Sequence, residues 1–305
     1  MPLIFLLSVA PTVAHQVQPA PPTGLALRLW RTLPISIHSY LELQMALTLR
    51  IMLYAGAVLT AGSAIAQAPT QLTLCHENAD NVPWVMMGAK PGYAQQMMTE
   101  VGKQLAIGIT LVPMPWTQCL AEVKAGKLDG AVSGSYNKER ALFADYPSKL
   151  DGEVDATRRM YRASYSFYKN KSAALQWDGK KLNSDGLIGA QQGFSVVAQL
   201  KEAGAKVEDN TTSADEVLLR VATGKYLAGV VQNAEGDNSI NSNPALKGLE
   251  RMDPAFVEKA YYVLFSKTFT AKNFATARSV WNAILKVRND PTFQSQTANL
   301  TKGSE

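Results

Sequence analysis

Between residues 70 and 290, short apolar runs alternate with stretches of helical spacing. Gln71-Leu72-Thr73-Leu74-Cys75 predicts a first strand, Ile109 to Pro113 a second and Leu128 to Val132 a third. From Tyr93 to Leu105, the residues Met97, Met98, Val101 and Leu105 share one helical face, where methionine reads as core filler. Trp116 to Lys124 reads as a helix ended by Gly126. A second set begins with strands at Ser164–Tyr168 and Gly186–Ala190 and a helix from Val196 to Lys201. Ser213 with Glu216 three residues on forms a capping box, and the helix it opens stops at Gly224 before a strand from Leu227 to Val231. A last strand, Ala260–Phe265, precedes a helix predicted over Phe274–Val287 with Val280, Ile284 and Val287 on one face. Strand and helix alternating in this way define an α/β protein.

One unit occurs twice. Helix, Gly, Lys and an apolar strand follow one another in Trp116–Val132 and again in Glu216–Val231. Two similar α/β lobes, each closing a strand on a small polar loop, imply a ligand crevice at the facing strand ends.

The first 66 residues read differently. Met45 opens a stretch with one positive charge, Arg50, followed by the apolar run from Ile51 to Leu59 and by Ser63-Ala64-Ile65-Ala66. Charged, apolar and small-residue regions in that order make a signal peptide over residues 45–66, with cleavage after Ala66 and Ala68 as the second position that fits. The uncharged run of 16 residues from Ile51 to Ala66 is shorter than the roughly 20 a spanning helix needs. Residues 1–44 carry six prolines and no coherent periodic element. They read as an upstream extension before the initiator Met45.

Export changes the reading of the two cysteines. In an oxidising compartment Cys75 and Cys119 are expected to pair, which in the chain-entropy model contributes about 3–4 kcal/mol. Composition narrows the function. The net charge of +5 falls to +3 beyond Ala66, where 27 basic residues face 24 acidic ones. That charge leaves no footprint for nucleic acid. Two cysteines and the single histidine in that stretch, His76, leave little for a zinc site, and no cofactor motif is present.

Four blocks, in order over residues 70–290, resemble the extracellular solute-binding proteins of family 3, the periplasmic receptors for polar amino acids. The first runs from Gly126-Lys127-Leu128-Asp129-Gly130 through Ser133-Gly134-Ser135 to Lys138-Glu139-Arg140 and Phe143-Ala144-Asp145-Tyr146-Pro147. The others are Ile188-Gly189-Ala190-Gln191-Gln192-Gly193, the helix–Gly224–strand block, and Tyr262-Val263-Leu264-Phe265 with its following helix. The resemblance implies a type II fold of two α/β lobes, residues 69–163 plus 263–305 and residues 164–262, joined by a two-strand hinge. It implies a monomer in the periplasm that closes on a small polar ligand and delivers it to the permease of an ABC importer, with no chemistry of its own.

The resemblance assigns a ligand carboxylate to Arg140, with Ser133 and Ser135 of the same loop and Gly193 and Ser195 from the second lobe. A guanidinium fork suits that role because it makes two parallel bonds to a carboxylate. On the residues alone, a surface arginine paired with Glu139 or Asp145 is the alternative. Asn233 stands where the family carries an ammonium-binding aspartate, so that charge must come from Glu77, Glu235 or Asp237, or the ligand lacks a free ammonium. Asn81 replaces a stacking aromatic, which leaves Trp84 and Tyr136 for that role. Two other classes remain in view: a soluble ligand sensor that signals to another protein, and a dehydratase-like enzyme using Glu77 or Glu235 as a cleft acid.

Overall fold

The computed structural model describes residues 69–301. The signal peptide and the upstream extension expected from the sequence lie outside the described residues. The strands are β1 (Gln71–Glu77), β2 (Gly108–Met114), β3 (Gly130–Ser135), β4 (Ala144–Asp145), β5 (Tyr161–Asn170), β6 (Gln176–Trp177), β7 (Leu182–Asn183), β8 (Leu187–Gln191), β9 (Lys206–Thr211), β10 (Ala228–Gln232), β11 (Leu249–Arg251) and β12 (Val257–Ser266). The helices are α1 (Tyr93–Leu105), α2 (Trp116–Lys124), α3 (Lys138–Ala141), α4 (Val196–Glu202), α5 (Ala214–Ala222), α6 (Asn233–Ser242), α7 (Lys267–Arg288) and α8 (Pro291–Thr301).

The main sheet runs β2-β1-β3-β12-β5-β10-β8-β9. Its two flanks are parallel triplets: β1 lies between β2 and β3, and β8 lies between β9 and β10. Helices connect the parallel strands of each triplet, as parallel neighbours require. Antiparallel β5 and β12 join the triplets. The first half of β5 pairs with β12 over Tyr161–Tyr165, and the second half pairs with β10 over Tyr165–Lys169. β12 does the converse, leaving β5 at Tyr261 to continue along β3 through Phe265. The chain therefore crosses between the triplets on these two strands.

Both copies of the repeated unit fold alike. α2 and α5 each stop at a glycine in the left-handed region, Gly126 at φ 69° and Gly224 at φ 77°, a conformation that costs a residue with a Cβ. The Ser213 hydroxyl accepts from the Glu216 amide at 3.2 Å, as the capping box predicts. α5 then buries Ala214, Val217, Leu218 and Val221 against β10 and β8. In α1, Met97, Met98 and Val101 are fully buried, so the methionines are core.

The last long helix begins earlier than the sequence indicates. α7 starts at Lys267, capped by the Ser266 hydroxyl, and is bent at Asn273. Its buried face includes Val280, Trp281, Ile284 and Val287, and the Trp281 indole donates to the Val263 carbonyl at 2.8 Å. Cys75 on β1 and Cys119 on α2 form the expected disulfide. Among the described residues no helix is long and apolar enough to cross a membrane.

Candidate functional site

Four parallel strands, two from each triplet, end on polar residues: β1 on Glu77, β3 on Ser135, β8 on Gln191 and β10 on Gln232. Between these ends lies a cavity of about 30 Å³. That is room for roughly one or two water molecules. Glu77, Asn81, Trp116, Ser133, Ser135 and Arg140 line it from the first triplet's side, and Phe194, Ser195 and Gln232 from the second's. Tyr165 and Tyr261 reach it from the two crossing strands, with their hydroxyls 2.6 Å apart.

Arg140 joins the two sides. It lies on the short helix α3, whose cap Asn137 accepts the Arg140 backbone N–H at 2.7 Å. Its side chain is buried rather than paired at the surface. One guanidinium nitrogen, Nη1, donates to the Ser135 carbonyl at 2.7 Å and to the Ser135 hydroxyl at 3.2 Å. Nη2 crosses to the Gly193 carbonyl at 2.8 Å. The guanidinium carbon sits 5.3 Å from the Trp116 ring centroid, within cation–π range. The Ser135 and Ser195 hydroxyls are 2.7 Å apart, and the Lys259 ammonium donates to Ser195 at 2.7 Å. Burial, with the Arg140 charge adding to it, pulls the Lys259 amine down to about 7.

Ser133 reaches the cavity through a backbone irregularity. Its φ of 66° is left-handed, and the pairing of β3 with β12 shifts there, two β3 residues facing Val263 alone. A bulge of this kind re-aims a side chain and stores strain at a site.

The acidic end is wired differently. Burial pushes the Glu77 carboxyl up to about 8. Glu235, in the first turn of α6, is 4% exposed, and neither carboxylate oxygen has a hydrogen-bond partner. Burial raises its pKa well above the ordinary carboxylate range; the neighbouring Glu77 adds to the rise, and the nearby Gln191 amide opposes it. Asn81 Oδ1, Gln191 Oε1, Gln232 Oε1 and Asn233 Oδ1 are also buried and unpartnered.

Of the sequence candidates, Arg140, Ser133, Ser135, Ser195 and Glu77 line one cavity, and Gly193 meets it through its carbonyl. Asn233 does not line it; its side-chain oxygen is buried beside it in sequence, at the start of α6. Trp84 is 2% exposed and stacks on Tyr161 at 3.9 Å, so it is a core residue. Tyr136 is 43% exposed and lies edge-on to Tyr146, outside the cavity. Trp116 is the aromatic at the cleft instead. Asp237 is engaged elsewhere, by Tyr168 at 2.8 Å and by Arg251. His76 donates from Nδ1 to the Glu77 carbonyl at 2.7 Å and is buried, a structural residue. Sequence reading missed Lys259, Tyr165, Tyr261, Gln232 and Trp116. Only Gln232 had a usable signal, as the strand-end counterpart of Ser135 in the repeated unit.

No family model matches the chain, and no curated protein matches it. Solved structures do. A histidine kinase sensor domain with similarity to periplasmic binding proteins is 13% identical, with 76% of this chain and 96% of that one covered and a TM-score of 0.63. An ancestral arginine-binding protein bound to glutamine is 18% identical, with 76% and 97% covered and a TM-score of 0.60. An amino acid ABC transporter substrate-binding protein from Streptococcus pneumoniae, bound to L-arginine, is 19% identical, with 77% and 96% covered and a TM-score of 0.57. The chain thus has the two-lobed periplasmic-binding-protein fold, in agreement with the fold implied by its sequence blocks.

Proposed function

We propose that this protein is an exported solute-binding protein that captures a small, carboxylate-bearing, amino-acid-like ligand and presents it to the permease of an ABC importer. The observation that carries the reading is Arg140. A buried guanidinium donates to the Ser135 carbonyl on one side of the cleft and to the Gly193 carbonyl on the other. A ligand carboxylate can replace one of these acceptors, so ligand and lobe closure share the same donor. The lobes are residues 69–163 with 263–305 and residues 164–262, turning about β5 and β12. A cavity of about 30 Å³ admits no amino acid, so binding requires those lobes to part and close again. No bond-making step is asked of any residue.

Solution scattering tests the clamp. Saturation with a mixture of L-amino acids should reduce the radius of gyration, and an unchanged radius at proven saturation would overturn it. A sensor that signals to another protein is the second reading, favoured by the similarity to a histidine kinase sensor domain. Stimulation of a co-reconstituted permease's ATP hydrolysis by the loaded protein distinguishes the importer reading from it.

A further inference from the structure

A larger cavity, of about 540 Å³, shares no residue with the Arg140 cleft and lies where β5 begins beside the end of α7 and α8. Its charged lining is unbalanced. Arg159 and Arg162 reach it from either side of the start of β5, and Arg288 from the last position of α7. Glu258 of β12 is the one acidic residue in the lining, and it is paired with Arg162. Neither Arg159 nor Arg288 forms an ion pair with a described carboxylate. Three guanidinium groups therefore face one cavity with a single carboxylate between them.

Backbone contacts hold two of these side chains in place. Arg159 Nη1 donates to the Ala156 carbonyl at 2.9 Å, and Arg288 Nη1 donates to the Arg159 carbonyl. Burial, with the charges of Arg159 and Arg162 adding to it, pulls the Arg288 guanidinium below its ordinary pKa. Like charges crowded in this way repel, and an anion among them turns that repulsion into attraction. A carboxylate has two oxygens and satisfies one guanidinium fork. A phosphoryl group offers three acceptor oxygens and a charge of about −1.5 to −2 at neutral pH, which suits several forks at once.

We propose that this arginine-lined cavity is a second ligand site, separate from the solute cleft, that takes a phosphoryl group, either inorganic phosphate or a small phosphate monoester. Arg159 and Arg288 grip the anion, and Arg162 joins them when it releases Glu258. The site borders the strands on which the chain crosses between lobes. Trp84 and Tyr161 line it and stack at 3.9 Å, and Tyr161 stacks in turn at 4.8 Å on Tyr261, which lines the solute cleft. A bound anion ties the end of α7 to the start of crossing strand β5. The inference stands apart from the amino-acid reading of the Arg140 cleft and does not need it.

Calorimetric titration of the purified protein with inorganic phosphate at neutral pH and low salt tests it, with sodium chloride and phosphatidylglycerol vesicles as comparisons. Phosphate should bind one site, at least about tenfold more tightly than chloride. Arg159→Gln and Arg288→Gln should each weaken phosphate by roughly 10–100-fold, as for a lost charge-assisted bond. Glu258→Gln should instead tighten phosphate by about two- to threefold, because it removes the competing carboxylate, and a misfolded variant gives no such gain. Lys124→Gln removes an exposed cation on α2 and should leave phosphate affinity within about 1.5-fold. Absence of phosphate binding, or a loss in Lys124→Gln equal to that in the arginine variants, would overturn the site. Binding to the vesicles without binding of free phosphate would overturn it in favour of a membrane contact.

Discussion

The two ends of the cleft each hold two decisive ionisable groups but are built on opposite terms. At one end Arg140 and Lys259 are fully engaged by the protein, through Ser135, Gly193 and Ser195. At the other, Glu235 holds no hydrogen bond and Glu77 keeps its proton to about pH 8. The cationic end is therefore pre-organised, with the donors of Arg140 already placed toward both sides of the cleft. At the acidic end burial instead keeps both carboxyls protonated. Pre-organisation lowers the ordering cost of binding, whereas unsatisfied groups set selectivity, because the wrong ligand leaves them unpaired.

The comparison breaks most sharply at Arg140. Arg140→Ala removes a charge-assisted donor from a poorly solvated cleft, a loss typically of about 2–5 kcal/mol, so affinity for a carboxylate ligand should fall roughly 30-fold to several thousand-fold. Arg140→Lys should recover part of it, since an ammonium lacks the planar fork. Titration with L-arginine reads both variants. Near-native affinity in Arg140→Ala would show that the bridge serves closure alone.

The acidic end should announce itself in the pH dependence of the unliganded protein. The folded state holds the Glu77 proton to about pH 8, while the unfolded chain releases it near the ordinary value of 4.5. Ionisation therefore favours unfolding, and this contribution to stability is lost as pH rises from about 4.5 to 8. Glu235, Tyr161 and Arg140 share the surroundings of Glu77. Glu235, raised as well, acts in the same sense. His76 and Lys259, both lowered by burial, act in the opposite sense, each adding stability as pH rises. Comparison with Glu77→Gln isolates the one group: the variant's melting temperature should gain on the wild type progressively between pH 5 and 8. A constant difference across that range would mean that Glu77 titrates normally.

The smallest expected effect concerns Ser133. Ser133→Gly relaxes a left-handed backbone and should stabilise the unliganded protein by about 1 kcal/mol. Loss of the hydroxyl should weaken ligand binding by a few-fold, as for one neutral hydrogen bond. Denaturant midpoints and titration together read the trade. A destabilised Gly variant would show that the Ser133 hydroxyl supports the fold rather than the ligand.

Much of the scaffold was legible in the chain. Periodicity located α1, α2 and α5 because each buries one face, and Gly126 and Gly224 marked two helix ends because only their conformation turns the chain there. The sequence blocks also carried Arg140, Ser133, Ser135 and Ser195 to one cavity. α6 escaped notice because Asn233–Ser242 has little apolar patterning, and β9 because Lys206–Thr211 is largely polar. The start of α7 was hidden because β12 runs into it with only the Ser266 cap between.

The sequence by itself determined local conformation and the identity of the polar strand ends, since those depend on neighbours within a few residues. Which aromatic meets the guanidinium was settled only by tertiary structure. Trp84 and Trp116 both follow a proline, yet one is stacked on Tyr161 in the core and the other lines the cleft. The same holds for Lys259 and Glu235, whose ionisation follows from what packs around them. Burial and the charge of distant residues are properties of the folded chain, and no spacing along the sequence encodes them.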